Sequence, residues 1–275
     1  MGRASVAQSR GKRTPTPSRK RRTAQAKSRH VFRTGDDMAD SVTQSPKRVM
    51  GVFAHPDDPE FFCGGTFARW ASEGAHITFV LATSGDKGSD DPDMTGERLA
   101  AIREDEERRA AAVLGVQEVV FLRCRDGELQ ATLELRRDII RLIRLKKPDI
   151  LVTGDPTTWW TSANRLNHPD HRAIGAAALD AVFPGAGSRL YFIELERDEG
   201  LPPHKVRQVW ITGTREANTK VDVTAYFETR LKALREHQSQ IKDFEALEKR
   251  LRANVDPEAP PDQPRYMDYF RVITL

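Results

Sequence analysis

The chain has 275 residues, with 44 Lys and Arg against 40 Asp and Glu and a formal net charge of +4. This length suits one sizeable α/β domain with its own core, and no run of 18 apolar residues occurs, so no transmembrane helix is expected. The two cysteines, Cys63 and Cys124, exclude a disulfide framework and favour a reducing compartment, for which the cytoplasm is the expected location.

The positive charge is confined to one end of the chain. Residues 1–37 hold 11 basic and two acidic residues, for a charge of +9, and the remaining 33 basic and 38 acidic residues give −5. Residues 1–47 are rich in Arg, Lys, Ser, Thr, Gln and Pro and poor in large apolar residues, which predicts a disordered extension. A solvated extension, or an initiator at Met38, is favoured over a nucleic-acid-binding arm or a transit peptide.

From residue 48 onward, segments with the apolar period of strands alternate with segments that have the period of helices. Strands are predicted over residues 48–54, 76–82, 116–122 and 149–153, with candidates at 190–195 and 206–212. Helices are predicted over 60–74, 96–114, 133–145 and 169–183, and a long one over 224–251. Residues 267–275 are an edge-strand candidate.

This alternation predicts a single Rossmann-like α/β domain over residues 48–275, with a mostly parallel β-sheet flanked by helices. Ligands of such sheets bind beyond the carboxyl ends of the strands. The loops after Ala54, Ala82, Leu122 and Thr153 are therefore expected on one rim.

Two short elements bring ionisable side chains to this rim. His55-Pro56-Asp57-Asp58 follows the first strand, and His168-Pro169-Asp170-His171 follows the long loop after the fourth strand. Residues three apart across a turn into a helix can point to one place, and Pro suits the first helical turn. His55 and Asp58 can therefore share a metal ion.

Together the two elements supply enough groups for a catalytic metal site. Two histidines and one carboxylate leave an open position on Zn²⁺, and water bound there becomes a usable nucleophile. A nearby carboxylate can take its proton, and a nearby histidine can donate to the leaving group or the developing oxyanion. Either element alone is more often a turn or a helix cap; their joint occurrence favours a metal site.

Both elements resemble the metal motifs of the PIG-L/LmbE-like N-acetylglucosaminyl deacetylases. The first motif continues into Pro59-Glu60 and Gly64-Gly65-Thr66. The agreement extends in order over residues 48–242, through Thr83-Ser84-Gly85-Asp86-Lys87-Gly88, Arg103-Glu104-Asp105-Glu106, Asp126-Gly127 and His237-Gln238-Ser239-Gln240. The resemblance implies a zinc-dependent enzyme, with ferrous iron as the alternative metal, that removes the acetyl group from a 2-acetamido sugar.

The resemblance also implies a role for each residue of the two motifs. His55, Asp58 and His171 are expected to ligate the metal. Asp57 is expected to be the general base, and His168 to stabilise the tetrahedral intermediate or protonate the leaving amine.

The resemblance further suggests that Arg103 and Asp126 contact sugar hydroxyls. The alternatives are a surface ion pair between Arg103 and Glu107, and a plain Asp-Gly turn at Asp126. His237 is expected to make a structural hydrogen bond.

The partner is expected to be a small-molecule acetamido-sugar conjugate, but several features leave its identity open. Pro59 follows Asp58 directly, where many family members have an acid, and Leu166 replaces a tyrosine found in some thiol-biosynthesis members. Trp159 and Trp160 could stack on a sugar ring or cover the core. The group attached to the sugar and the oligomeric state are open.

Three other functions compete with this hypothesis. Another metal-dependent amidase, acting on a sugar or thiol conjugate, would use the same residues. A non-haem iron oxygenase also uses two histidines and a carboxylate, but those enzymes resemble β-sandwich jelly rolls. A nucleic-acid-binding protein acting through its basic arm is disfavoured by the acidic remainder of the chain.

Overall fold

The computed structural model describes residues 46–275, together with Gly2. The predicted disordered extension lies outside the described residues, except for its last two residues and Gly2, and it stays a prediction. So does the domain boundary at residue 48. Within residues 46–275, no helix is both long enough and apolar enough to cross a bilayer.

A seven-stranded sheet forms the centre of the fold, in the order β3-β2-β1-β4-β7-β9-β8. Its strands are β1 (Arg48–Phe53), β2 (His76–Thr83), β3 (Glu118–Cys124), β4 (Ile150–Gly154), β7 (Gln208–Thr212), β8 (Thr219–Asp222) and β9 (Met267–Thr274). The first five strands of this order pair in parallel, and β9 runs antiparallel to both β7 and β8. A separate two-stranded hairpin joins β5 (Trp160–Ser162) to β6 (Arg165–Leu166). The predicted α/β class with a mostly parallel sheet is confirmed.

Helices cover both faces of the sheet. They are α1 (Asp58–Ser72), α2 (Gly96–Leu114), α3 (Leu133–Lys146), α4 (Pro169–Asp180), α5 (Ile193–Arg197), α6 (Phe227–Arg235) and α7 (Phe244–Ala253). The side chains of Thr95 and Thr132 cap α2 and α3 by accepting amide hydrogen bonds, as N-cap residues do. Gly115 ends α2 with a φ of 80°, a conformation that suits glycine.

The buried strand β1 divides its side chains between two apolar cores. Met50 and Val52 pack in the core shared with α3 and α4, and Val49 and Phe53 pack in the core shared with α1 and α2. This alternation follows from the two-residue period of a strand. At Gly51 a Cβ atom would lie 3.1 Å from three phenylalanine rings, so glycine permits the close packing there. The strand is thereby fixed so that its carboxyl end delivers the residues after Phe53 to the rim.

The structure corrects three of the predicted elements. Residues 190–195 are not a strand: they form a turn and the start of α5, because the position beside β4 is taken by β7. The predicted long helix over 224–251 breaks between α6 and α7, where Asp243 caps a new helix by accepting the Ala246 amide. The predicted edge strand, β9, lies between β7 and β8. The short strands β5, β6 and β8 have no counterpart in the prediction.

Candidate active site

The first half of the site is built where β1 passes into α1. His55 and Asp58 are buried, at 7% and 5% exposure. Asp58 Oδ2 accepts hydrogen bonds from the amides of Ala54 at 3.1 Å and His55 at 2.9 Å. These bonds fix the carboxylate across the turn and leave its second oxygen, Oδ1, facing outward from the turn.

The second half of the site begins α4. Pro169 occupies the first turn of that helix, where the missing amide costs nothing. One turn of helix brings His171 Nε2 to 3.1 Å from Asp58 Oδ1, and its ring centroid lies 5.2 Å from that of His55. The structure thus brings His55, Asp58 and His171 together as the sequence predicted.

The hydrogen bonds of the two histidines point the other ring nitrogen of each towards Asp58. His171 Nδ1 is 2.9 Å from Asn167 Oδ1, and His55 Nε2 is 3.1 Å from Asp126 Oδ1. Since both partners are acceptors, these nitrogens carry protons, and the opposite nitrogens, which face Asp58, are the ones that a metal ion would bind in place of a proton.

The separation of the candidate ligand atoms also fits a metal ion, since one atom each of His55, Asp58 and His171 lies within 4.8 Å of the other two. His55 Nδ1 lies 3.6 Å from Asp58 Oδ2, and His171 Nε2 lies 3.1 Å from Asp58 Oδ1. Tetrahedral ligands at zinc bond lengths are separated by about 3.3 Å. Two nitrogens and a carboxylate oxygen suit zinc or ferrous iron, so these residues could hold either ion.

Three carboxylates converge on His55 and concentrate negative charge in the site. They belong to Asp58, Asp126 and Asp170, the last of which lies 3.4 Å from His55 Nε2. Burial opposes a charge on His55, but these carboxylates outweigh it and raise the pKa of the imidazole to about 12. Burial likewise opposes ionisation of Asp126, but the hydrogen bond to His55 lowers the pKa of that carboxyl to about 2. A cation would balance this cluster.

Asp57 is held on the other side of the turn, next to Arg103. Its φ of 100° is unusual for a residue with a side chain and costs of the order of 1–3 kcal/mol. Burial raises the pKa of the Asp57 carboxyl to about 6, against the opposing charge of Arg103. That pKa suits a group that must accept a proton near neutral pH.

The Arg103 guanidinium is buried and binds the turn through its two terminal nitrogens, while its Nε has no hydrogen-bond partner. It donates to the carbonyl oxygens of Pro56 at 2.6 Å and Gly85 at 3.1 Å, and its Nη2 lies 3.3 Å from Asp57 Oδ2. The alternative of a surface ion pair with Glu107 is wrong, since both side chains are buried. At Gly85, which has a φ of 64°, a Cβ atom would lie 2.2 Å from the guanidinium, so this close approach requires glycine.

Asp126 is both a turn residue and a site residue. The following Gly127 has a φ of 74°, as the Asp-Gly turn predicts. The Asp126 side chain accepts the amide of Lys87 at 3.2 Å in addition to its bond with His55. A contact with sugar hydroxyls stays a prediction for Asp126 and for Arg103.

His168 lies at the open side of the cluster, and its side chain is 41% exposed. Its ring centroid is 4.6 Å from that of His55. Nδ1 accepts the backbone amide of Asp170 at 3.3 Å, which places the proton of a neutral ring on Nε2. Burial, followed by the charge of His55, lowers the pKa of His168. The ring therefore presents an N–H donor to the site.

Two site residues were missed by the sequence-based prediction. Asp170 is 0% exposed and accepts the amides of Gly127 at 2.7 Å and Leu129 at 3.3 Å, which ties α4 to the loop after β3. Asn167 orients His171. Both lie within or beside the second motif, but their contacts depend on loops distant in sequence.

A cavity of about 300 Å³ opens beside His171, which is at the lower end of ligand-pocket sizes. Its wall includes Phe62, whose ring packs edge-on against His171 with centroids 5.5 Å apart. Trp160 lines the cavity and Trp159 lies beside it; they are 52% and 59% exposed. The alternative that this pair covers the core is wrong, and stacking against a sugar ring stays a prediction.

Comparison with known proteins places this site in a family context. Residues 50–182 match the family model described as PIG-L, GlcNAc-PI de-N-acetylase. The chain is 34% identical over 198 residues to the diacetylchitobiose deacetylase of Thermococcus kodakarensis, a match that covers 72% of this chain and 71% of that protein. It is 30% identical over 233 residues to the 1D-myo-inositol 2-acetamido-2-deoxy-alpha-D-glucopyranoside deacetylase of Saccharomonospora viridis. That match covers 70% of this chain and 85% of that protein.

A solved structure gives the same result for the fold. The N,N'-diacetylchitobiose deacetylase of Pyrococcus horikoshii superimposes with a TM-score of 0.76 and 32% sequence identity. The superposition covers 86% of this chain and 87% of that one.

Proposed function

This chain belongs to the PIG-L family, and from that premise we propose that it is a metal-dependent hydrolase that removes the acetyl group from a 2-acetamido sugar. The observation that carries the proposal is the convergence of His55, Asp58 and His171, with one candidate ligand atom of each within 4.8 Å of the others, beside the carboxylate of Asp57. The relatives named above are deacetylases of acetamido-sugar compounds.

His55, Asp58 and His171 would hold the metal, with zinc as the first choice and ferrous iron as the alternative. When bound, such an ion supplies a Lewis acid that lowers the pKa of coordinated water towards neutrality. Asp126 and Asn167 keep the two imidazoles in the tautomers that leave a lone pair free for the ion, as neighbouring hydrogen bonds do in metal sites.

Asp57 is proposed as the general base. Its carboxylate is partly exposed, with a side-chain exposure of 16%, so an attacking water can reach it. Arg103 fixes its orientation through Oδ2, which leaves Oδ1 to take the proton. The base is thereby separate from the ligand set, although it is adjacent in sequence to Asp58.

His168 is proposed to act on the other side of the scissile amide. Its Nε2–H can donate to the acetyl carbonyl oxygen as negative charge develops there, or to the departing amine. Water adds to the carbonyl carbon and the C–N bond breaks, which yields acetate and the free amino sugar. Arg103 and Asp126, which lie next to Asp57 and His55, are proposed to contact the sugar hydroxyls.

The substrate is proposed to be a small-molecule conjugate of N-acetylglucosamine. The experiment measures acetate release from a panel in which the sugar is linked to a second sugar, to inositol or to malate. Release from at least one conjugate, together with loss of that release in Asp57→Asn, is expected. Absence of acetate release from every conjugate by metal-loaded protein would refute the proposed function.

A further inference from the structure

A second group of ionisable side chains lies behind Asp57, enclosed entirely by protein. Glu60 on α1, Glu107 on α2 and His237, which follows α6, are each 0% exposed. His237 Nε2 lies 3.4 Å from Glu60 Oε2 and 3.9 Å from Glu107 Oε2. The reaction proposed above uses none of these residues, yet ionisable groups buried in this way are costly unless they are paired.

Glu107 connects this buried group to the proposed general base. Its Oε2 accepts a hydrogen bond from the backbone N–H of Asp57 at 3.1 Å. Asp57 has a φ of 100° and a ψ of −26° at the N-cap of α1, a backbone conformation that residues with side chains rarely adopt. The side chain of Asp57 makes no capping hydrogen bond of its own. An acceptor on α2 therefore holds the strained residue in place.

Asp57 is thus fixed at two points by residues of one helix. Glu107 accepts from its amide, and Arg103 binds its carboxylate at 3.3 Å. Both residues lie on α2, so the position of the base is set by the packing of that helix against α1. Loss of the amide contact leaves the carboxylate contact but frees the backbone to relax towards a commoner conformation.

Glu60 and His237 pack around the Glu107 side chain, with His237 Nε2 between the two carboxylates, and they limit where that side chain can move. Burial, and then the charge of Glu60, raises the pKa of Glu107 well above its usual range. Burial would lower the pKa of His237, but its contact with Glu60 outweighs that effect and raises the pKa.

We propose that Glu107, supported by Glu60 and His237, is a positioning residue that holds Asp57 where it can accept a proton. The inference rests on the proposed function for the role of Asp57. The contact between Glu107 and the Asp57 amide can be tested separately, by amide hydrogen exchange.

The test compares three variants of the full chain with the wild type. Glu107→Met removes the acceptor at similar volume, and Glu107→Gln keeps a carbonyl oxygen that can accept the same N–H. Glu106→Gln is the matched control, because Glu106 is also a buried carboxylate of α2 but bonds to the amide and hydroxyl of Ser239. The readouts are kcat and KM for a conjugate that the wild type cleaves, bound metal, and hydrogen exchange of the Asp57 amide by NMR.

A positioning role predicts that Glu107→Met lowers kcat by about 100-fold, since misplacing a catalytic group by about 1 Å costs that much. KM and bound metal should stay within roughly twofold of the wild type, and the Asp57 amide should exchange faster. The kcat of Glu107→Gln should be at least about tenfold higher than that of Glu107→Met, and the kcat of Glu106→Gln should match that of the wild type. A kcat of Glu107→Met within roughly threefold of the wild type, or no recovery in Glu107→Gln, would overturn the proposal.

Two further comparisons keep the test decisive. If Glu107→Met does not fold, His237→Gln removes the support of Glu107 without removing the acceptor. A lower kcat at unchanged KM then supports the proposal, and a wild-type kcat overturns it.

If the wild type cleaves no conjugate, the proposed function fails. Exchange at the Asp57 amide then decides the contact alone: faster exchange in Glu107→Met, or in His237→Gln if Glu107→Met does not fold, than in Glu106→Gln supports it, and equal exchange overturns it.

Discussion

His171 Nε2 lies 3.1 Å from Asp58 Oδ1, although the two residues come from different helices that begin after different strands. Hydrogen bonds fix each side chain: Asp58 accepts from the amides of Ala54 and His55, and His171 Nδ1 donates to Asn167 Oδ1. This contact completes a candidate ligand set that neither motif supplies alone.

Replacing either residue of this contact should abolish stoichiometric metal binding. We expect one zinc or iron ion per chain in the wild type, and less than about a tenth of that in Asp58→Ala and in His171→Ala, since a two-ligand remainder binds weakly. Metal content after dialysis is the measurement. His76→Ala, which alters an exposed histidine at the start of β2, is the control, and its metal content should equal that of the wild type. Full occupancy in both ligand variants would refute the assignment.

Asn167 should affect metal affinity without being a ligand. Its Oδ1 accepts from His171 Nδ1 at 2.9 Å, and such hydrogen bonds typically contribute 10- to 100-fold in affinity or activity. Asn167→Leu is therefore expected to weaken metal binding by about 10- to 100-fold, as measured by competition with a chelator of known affinity. An unchanged affinity would show that the imidazole is oriented by other contacts.

Glu104 should make stability depend on acid pH. Its carboxylate accepts hydrogen bonds from Arg123, Ser84 and Arg108, which lower the pKa of Glu104 from 4.5 to about 2, against burial. Because the pKa is lower in the folded state, this stabilisation is full above pH 4.5 and is lost as the pH falls towards 2.

The measurement is urea denaturation of wild type and Glu104→Gln between pH 6 and pH 3. The wild type is expected to be more stable by about 1.5–3 kcal/mol at pH 6, the range for hydrogen bonds to a charged group, and the difference should shrink as the pH falls. Glu97→Gln, an exposed position on α2, is the control and should show no such trend. A difference independent of pH would contradict the pKa of Glu104.

Trp160 should bind the substrate without taking part in the chemistry. It lines the cavity beside His171, with the Arg215 guanidinium 5.7 Å from its ring centroid. Trp160→Ala is expected to raise KM by about 3- to 10-fold at nearly constant kcat. A change of that size corresponds to the loss of one aromatic stacking interaction with the substrate. Trp159→Ala is the matched control, because its ring packs instead against Arg172 at 4.0 Å. Equal effects of both substitutions would argue against a stacking role.

The sequence was sufficient to predict the parallel sheet and to indicate that the two histidine motifs meet at one rim. Apolar segments of strand length identified β1 and β4, and the rule that ligands bind at the carboxyl ends of parallel strands placed the two histidine motifs together. Local patterns were informative here because each motif lies directly at the end or start of a regular element.

Contacts that depend on packing between distant segments could not be predicted in the same way. Nothing near Glu107 in the sequence indicates that it accepts the Asp57 amide, and Asp170 has its partners on the loop after β3. The break after α6 was missed because the apolar pattern continues through it, while His237 turns into the core beside Glu60. The apolar residues near Leu190 predict a strand, but Leu190 is 80% exposed and belongs to a turn.

The most direct test of the proposed function is acetate release from an N-acetylglucosamine conjugate by three preparations: metal-loaded wild type, the same protein after chelation, and Asp57→Asn loaded with metal. We expect activity only in the first, its recovery when zinc or ferrous iron is returned to the second, and a loss of about 100- to 10,000-fold in the third. Acetate release that persists after complete removal of the metal, or that is undiminished in Asp57→Asn, would contradict the account.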